Sequence, residues 1–299
     1  MLIKKYLHIV CSFVALSCSQ LAHAQVDLFA EKDEPIRDIV TSTFKTTRII
    51  NGQSIENVGK GILDFRILHR FGPLSDGGYN FFGLDQASMR LGLDYGISRT
   101  LMVGVGRSTF DKQYDGFVKW RILSQTTGGI NFPFALSYAG TMIYKSLKNP
   151  TGLSYTPYET DRFTYAHQLI LARKFNDAFS MQLTPTMVHY NLVANSSLPN
   201  DFYSLGIGLR QRISKRVNIT SEYFYRYNKL DGYHNSFSVG FDIETGGHVF
   251  QLHVTNSTGM TERTFINETT GAWGKGNLRF GFNLSRVFTI KKPKEFRKK

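Results

Sequence analysis

The stretch SMRLGLDYGI, residues 88–97, alternates without a break. Met89, Leu91, Leu93, Tyr95 and Ile97 fall on one side, and Ser88, Arg90, Gly92, Asp94 and Gly96 on the other. Successive side chains of a strand point to opposite faces, whereas a helix would spread these apolar residues round its cylinder. The same period recurs at Tyr203, Leu205, Ile207 and Leu209, and at Phe237, Val239, Phe241 and Ile243, each set interleaved with small or polar residues. Alternation of this kind marks strands with one apolar and one polar face.

Working outward, the pattern predicts strands near 61–71, 86–97, 101–110, 113–123, 133–145, 162–175, 179–191, 202–213, 217–227, 235–245, 248–257 and 276–288. The connections largely alternate in length, with 111–112 and 228–234 shorter on the outer side and Gln125–Phe132, a longish inner turn, fitting loosely. Ser98–Thr100, Asn176–Ala178, Ser214–Arg216 and Gly246-Gly247 are short, whereas 72–85, 146–161, 192–201 and 258–275 are long. Short turns on one side and long loops on the other are the habit of outer-membrane barrels. A soluble β-sandwich, the main competing architecture, has no reason to keep that parity. The expectation is an all-β, antiparallel transmembrane barrel of about 12 strands, with short periplasmic turns and longer outer loops.

The chain has 299 residues and a formal charge of +13, with 14% aromatics. Its mean hydropathy of −0.22 is slightly polar. A barrel reconciles the two, because apolar residues face lipid and polar ones face the lumen. Lys4 and Lys5, the short apolar run Leu7–Leu16 and the site Ala22-His23-Ala24 make residues 1–24 an expected signal peptide. An uncleaved N-terminal anchor and a lipoprotein cysteine at Cys18 are weaker readings, the latter because Ala15 stands where such boxes usually carry Leu. Cys11 and Cys18 both lie in that segment, so disulfides, thiol chemistry and cysteine–metal sites are not expected downstream. Residues 25–60 form a polar N-terminal segment, periplasmic or a plug, in which Thr41–Ile50 reads as a short strand and Asn51-Gly52 as a turn. The barrel is expected over 61–289, followed by a basic tail over 290–299.

The quoted stretch also belongs to a resemblance. TFKTTRIINGQSIENVGKGILDFRILHRFG, then FFGLDQASMRLGLDYGI, and the ending RFGFNLSRVFTIKKPKE resemble an uncharacterised outer-membrane β-barrel family of Bacteroidota, classed as a domain of unknown function. The motifs His69-Arg70-Phe71-Gly72 and Phe82-Gly83-Leu84-Asp85 carry it most specifically. The resemblance implies fold, export and a Gram-negative outer-membrane location, and it implies no catalytic residue.

Projecting the alternation inward gives the lumen-lining candidates. The cations are Arg66, Arg70, Arg90, Lys119, Arg121, Arg210, Arg212, Arg226 and Arg279. The anions are Asp64, Asp94, Glu222, Asp242 and Glu244. Such charges either pair and brace the barrel or line a path that favours anions. The Arg66, Arg70 and Arg90 cluster is the first to test, with Asp64 and Asp94 as its possible partners. The loop residues Tyr79, Phe81, Phe82 and Asp85 end a strand at the outer rim or fold over the mouth as a lid or ligand site. Asn256–Gly274 is a second long loop, either a recognition element or solvated.

The expected function is a porin-like channel or binding barrel for small anionic solutes. The alternative is a closed barrel that scaffolds a periplasmic or surface partner. A lipid-active hydrolase is the weakest reading, since His234 and Ser236 are the nearest serine–histidine pair and sit in no recognisable setting. No enzyme activity, cofactor or metal is expected. His248 and His253 differ by five and face opposite sides of a strand. The expected partners are outer-membrane lipid and the outer-membrane assembly machinery, without nucleic acid.

Overall fold

A computed structural model describes residues 37–129, 131–148, 158–228 and 230–291. The signal peptide expected over 1–24, residues 25–36 of the N-terminal segment and the basic tail from 292 lie outside the described residues. Twelve strands close into one antiparallel barrel. They are β2 (Ile62–Pro73), β3 (Ala87–Gly96), β4 (Leu101–Ser108), β5 (Gln113–Leu123), β7 (Ala135–Lys145), β8 (Phe163–Lys174), β9 (Phe179–Tyr190), β10 (Asp201–Arg212), β11 (Val217–Arg226), β12 (Ser236–Thr245), β13 (His248–Thr255) and β14 (Arg279–Thr289). Each pairs with its neighbours along the barrel, and β14 closes on β2 with Thr289 opposite Ile62 and Phe282 opposite His69. Closure leaves no unpaired edge, which a chain crossing a bilayer as strands requires.

The alternation holds in three dimensions. In β3, Ser88, Arg90, Gly92, Asp94 and Gly96 are buried inward, and Leu91 and Leu93 are exposed outward. Leu91, Val105, Val118, Trp120, Leu169, Phe241 and Leu252 are among the large apolar residues on the outer surface. That apolar band is the face that meets lipid.

A pair missing from the sequence expectation sits at the short-turn end. β1 (Arg37–Ile39) pairs with β6 (Thr126–Gly128), which lies within the long inner connection between β5 and β7. The chain then turns into the barrel. The expected strand over Thr41–Ile50 does not form. Instead, residues 46–54 make a tight hairpin around Asn51-Gly52, with Arg48 bridged to Gln53 and the Ile49 N–H donating to the Gly52 carbonyl. The physical reason is that the hairpin's own bonds, Glu56 and side chains of the wall, not a neighbouring strand, satisfy this segment's backbone groups. The loop 256–271 folds inward from the long-loop end, with Met260, Phe265 and Ile266 buried. It is therefore neither a free recognition loop nor a solvated one.

Candidate functional site

The interior is a contact surface between the wall, the hairpin and the loop 256–271. At its centre the hairpin tip meets Glu222 of β11. The carboxylate accepts the N–H groups of Ile50 (3.2 Å), Asn51 (2.8 Å) and Gly52 (3.0 Å), and also Asn51 Nδ2 (2.8 Å). Asn51 Oδ1 in turn accepts from Arg70 Nη2 at 2.9 Å. Glycine is required at the tip, because a Cβ on Gly52 would come to 2.8 Å from the Phe224 ring.

Below the tip, Lys119 of β5 directs its ammonium at four hairpin oxygens. These are the carbonyls of Thr47 (3.2 Å), Ser54 (3.1 Å) and Glu56 (2.6 Å), and Gln53 Oε1 (3.2 Å). Arg121 bonds the Ile55 carbonyl. Arg66 donates to Thr47 Oγ1 at 2.8 Å, and Thr47 donates to Asp94 at 3.0 Å. At the short-turn mouth Lys45 pairs with Glu244 at 2.7 Å. An apolar seat completes the fit, where Phe44, Ile49 and Ile55 pack on Ala135, Ala139, Ile170 and Ala172.

The loop 256–271 is held in its own way. Arg226 donates to the carbonyls of Asn267 (3.0 Å) and Tyr233 (2.8 Å). Thr261 bonds Gln113, and the Phe265 ring meets Phe224 edge-on at 5.0 Å. Arg263 pairs with Glu268 at 2.9 Å. Burial works against the Arg263 charge, but Glu268 and Tyr190 outweigh it and hold its pKa above the ordinary value. For Arg48 of the hairpin the balance is reversed. Burial, helped by Arg90, pushes its guanidinium below the usual value against the pull of Glu262.

The predicted inward residues divide into several groups. Asp64, Arg66, Arg70, Arg90, Asp94, Lys119, Arg210, Glu222, Arg226 and Asp242 are buried in the interior, and Arg121, Glu244 and Arg279 are half-buried. Arg212 is exposed at the end of β10, where the barrel wall runs out, and does not line the lumen. The Arg66, Arg70 and Arg90 cluster is not a shared site. Arg66 leans on Asp64 at 3.4 Å, Arg70 bonds Asn283 and Asn51, and Arg90 is held two-pronged by Asp115. Asp115 was absent from the projected set, although it sits two residues after Gln113 and four before Lys119 on the same face. Gln182, Gln251 and Asn283 could be found by the same alternation, whereas Arg48 and Glu262 lie outside any periodic segment.

Tyr79, Phe81, Phe82 and Asp85 are all exposed, Tyr79 almost completely at 96%. The motif His69-Arg70-Phe71-Gly72 splits by strand parity. Arg70 points inward, while His69 stacks on Phe282 at 4.8 Å and meets Phe71 at 4.4 Å on the outer face. His234 and Ser236 form no catalytic pair, since Ser236 is buried with an unbonded hydroxyl and His234 is exposed. His253 is buried inward and His248 is half-exposed.

The family model described as a membrane bound beta barrel domain (DUF5777) matches residues 44–288, starting within the segment that enters the lumen. No curated protein matches the chain. Among solved structures, a NanC porin in a rhombohedral crystal form aligns with a TM-score of 0.47 and 10% identity, covering 77% of this chain and 100% of that one. A KdgM porin in complex with disordered oligogalacturonate aligns with a TM-score of 0.46 and 13% identity, covering 76% and 99%.

Proposed function

This chain belongs to the family of membrane-bound beta barrel domains, and on that premise we propose that it is a porin-like outer-membrane passage closed by its own N-terminal hairpin. One observation carries the reading: the Glu222 carboxylate takes three consecutive backbone N–H groups of the hairpin tip, plus the Asn51 amide. Hydrogen bonds to a charged group contribute about 1.5–3 kcal/mol each. The hairpin is therefore latched, yet it is joined to the wall by no strand ladder and can leave without opening the barrel. Solutes pass when it does, along the lumen that the inward loop 256–271 narrows.

The passage suits small polar solutes. A basic lumen would favour anions, but the fully buried charges are nearly balanced. Among the described residues, seven cationic and six anionic side chains are buried, and one of the cations is Arg48 of the hairpin itself. Recordings in planar bilayers test the proposal. The wild-type chain should be nearly silent, and Glu222→Gln should give frequent openings with little preference between chloride and potassium. A wild type that conducts steadily would remove the latch from the account, and a strong anion preference would restore the basic-pore reading.

The second reading, a closed scaffold for a partner, is favoured by the inward fold of the loop 256–271, which narrows the other end. Its signature is silence in both the wild type and Glu222→Gln, with a partner that co-purifies.

A further inference from the structure

The wall grips the hairpin chiefly by its main chain. Glu222 of β11 accepts from the N–H groups of Ile50, Asn51 and Gly52. Asn283 of β14 donates to the Ile50 carbonyl (2.9 Å), Gln251 of β13 to that of Ile49 (2.6 Å) and Gln182 of β9 to that of Gln53 (2.8 Å). Lys119 of β5 takes the carbonyls of Thr47, Ser54 and Glu56. With Arg121 of β5 on the Ile55 carbonyl, six side chains from five strands converge on the backbone of a single ten-residue segment. Main-chain bonds give affinity without regard to sequence, and side-chain pockets add selectivity. The pocket here is the aliphatic seat of Ala135, Ala139, Ile170 and Ala172, which holds Ile49 and Ile55.

We propose that the barrel interior is a peptide-binding site, filled in this state by the chain's own residues 47–56, which a second peptide with aliphatic side chains can occupy in its place. A saccharide fits these groups less well. It has no run of N–H donors for Glu222, and the seat offers aliphatic walls rather than an aromatic platform. Entry of a second peptide rests on the gating reading above, whereas main-chain recognition does not, and the two are tested apart.

Recognition is tested in the intact closed chain by hydrogen exchange over residues 46–56. Thr47→Ala with Gln53→Ala removes two hairpin side chains that bond the wall, and protection should fall by less than about tenfold, the equivalent of about 1.4 kcal/mol. Lys119→Met removes three main-chain bonds, and protection should fall well beyond tenfold. The reverse order overturns the proposal. Entry is tested in Gly52→Val, which drives the tip against Phe224 while leaving the six recognising side chains unchanged. A synthetic peptide of residues 42–58 should bind this variant and block its current. The same peptide N-methylated at Ile50, Asn51 and Gly52 should bind at least tenfold more weakly, and maltotriose should have no effect. Equal binding of the methylated peptide, or block by maltotriose alone, also overturns the proposal. If Gly52→Val stays silent with its hairpin protected, gating fails, and the exchange experiment alone decides recognition.

Discussion

Arg48 and Glu262 meet at 3.5 Å inside the barrel, the first carried by the hairpin from the short-turn end and the second by the loop from the opposite end. Their side chains are 1% and 0% exposed. The two fillings of the lumen are thus joined by one ion pair in which Arg48 Nε and Nη2 and Glu262 Oε2 have no protein partner. Removing one member of a buried pair leaves an unpaired charge and costs about 3–5 kcal/mol. Arg48→Met and Glu262→Gln should each destabilise the chain on that scale, and the double variant should cost clearly less than their sum. Urea unfolding in lipid vesicles gives the cycle. Strict additivity would mean that hairpin and loop are not coupled through this contact.

Gly208 faces inward on β10, and the Ile49 δ-carbon occupies the space its Cβ would need. Valine is a good strand former, so Gly208→Val should leave the barrel intact while expelling Ile49 and, with it, the hairpin. Protease access to residues 42–58 reports the release. Ile49→Ala in the same chain should restore protection by vacating the seat. If Gly208→Val leaves the hairpin protected, the seat is more yielding than its geometry indicates.

The wall was legible in the sequence because its signal is local. A period of two, read at Ser88–Ile97, fixes which residues face inward and survives errors of a residue or two at strand ends. The filling was not legible, because its contacts are remote. Asn51 and Glu222 are 171 positions apart, and nothing in either neighbourhood names the other. Asn256–Gly274 reads equally as a recognition loop or a solvated one, yet residues 256–271 bury Met260, Phe265 and Ile266. Tyr79, Phe81 and Phe82 are the reverse case, apolar in sequence yet exposed. Their loop turns tightly through positive φ at Phe81 (46°) and Phe82 (54°), and the aromatic rings stay outside.

Arg90 and Asp115 belong to the wall alone. They sit on β3 and β5 and bond across the inner face of β4, with Arg90 Nε at 2.8 Å from Asp115 Oδ1. Asp115→Asn should strand a fully buried guanidinium and lower barrel stability by about 3–5 kcal/mol. It should not release the hairpin, which Asp115 does not contact through any hydrogen bond. Unfolding midpoints together with exchange over 46–56 separate the two effects. Hairpin release without loss of barrel stability would show that this pair acts on the plug rather than as a strut.

Phe265 tests whether the two fillings act in series. Its ring is fully buried against Phe224 and within reach of Tyr190 and Phe202, so Phe265→Asp would place a carboxylate among aromatic side chains. The loop 256–271 should then leave the interior and become open to protease from the long-loop side. The Glu222 latch is untouched, so this variant should remain nearly silent in planar bilayers. Combined with Glu222→Gln, it should give larger conductance steps than Glu222→Gln alone, because both obstructions are removed from one path. Steady conductance from Phe265→Asp by itself would mean that the loop is the gate and the hairpin is not.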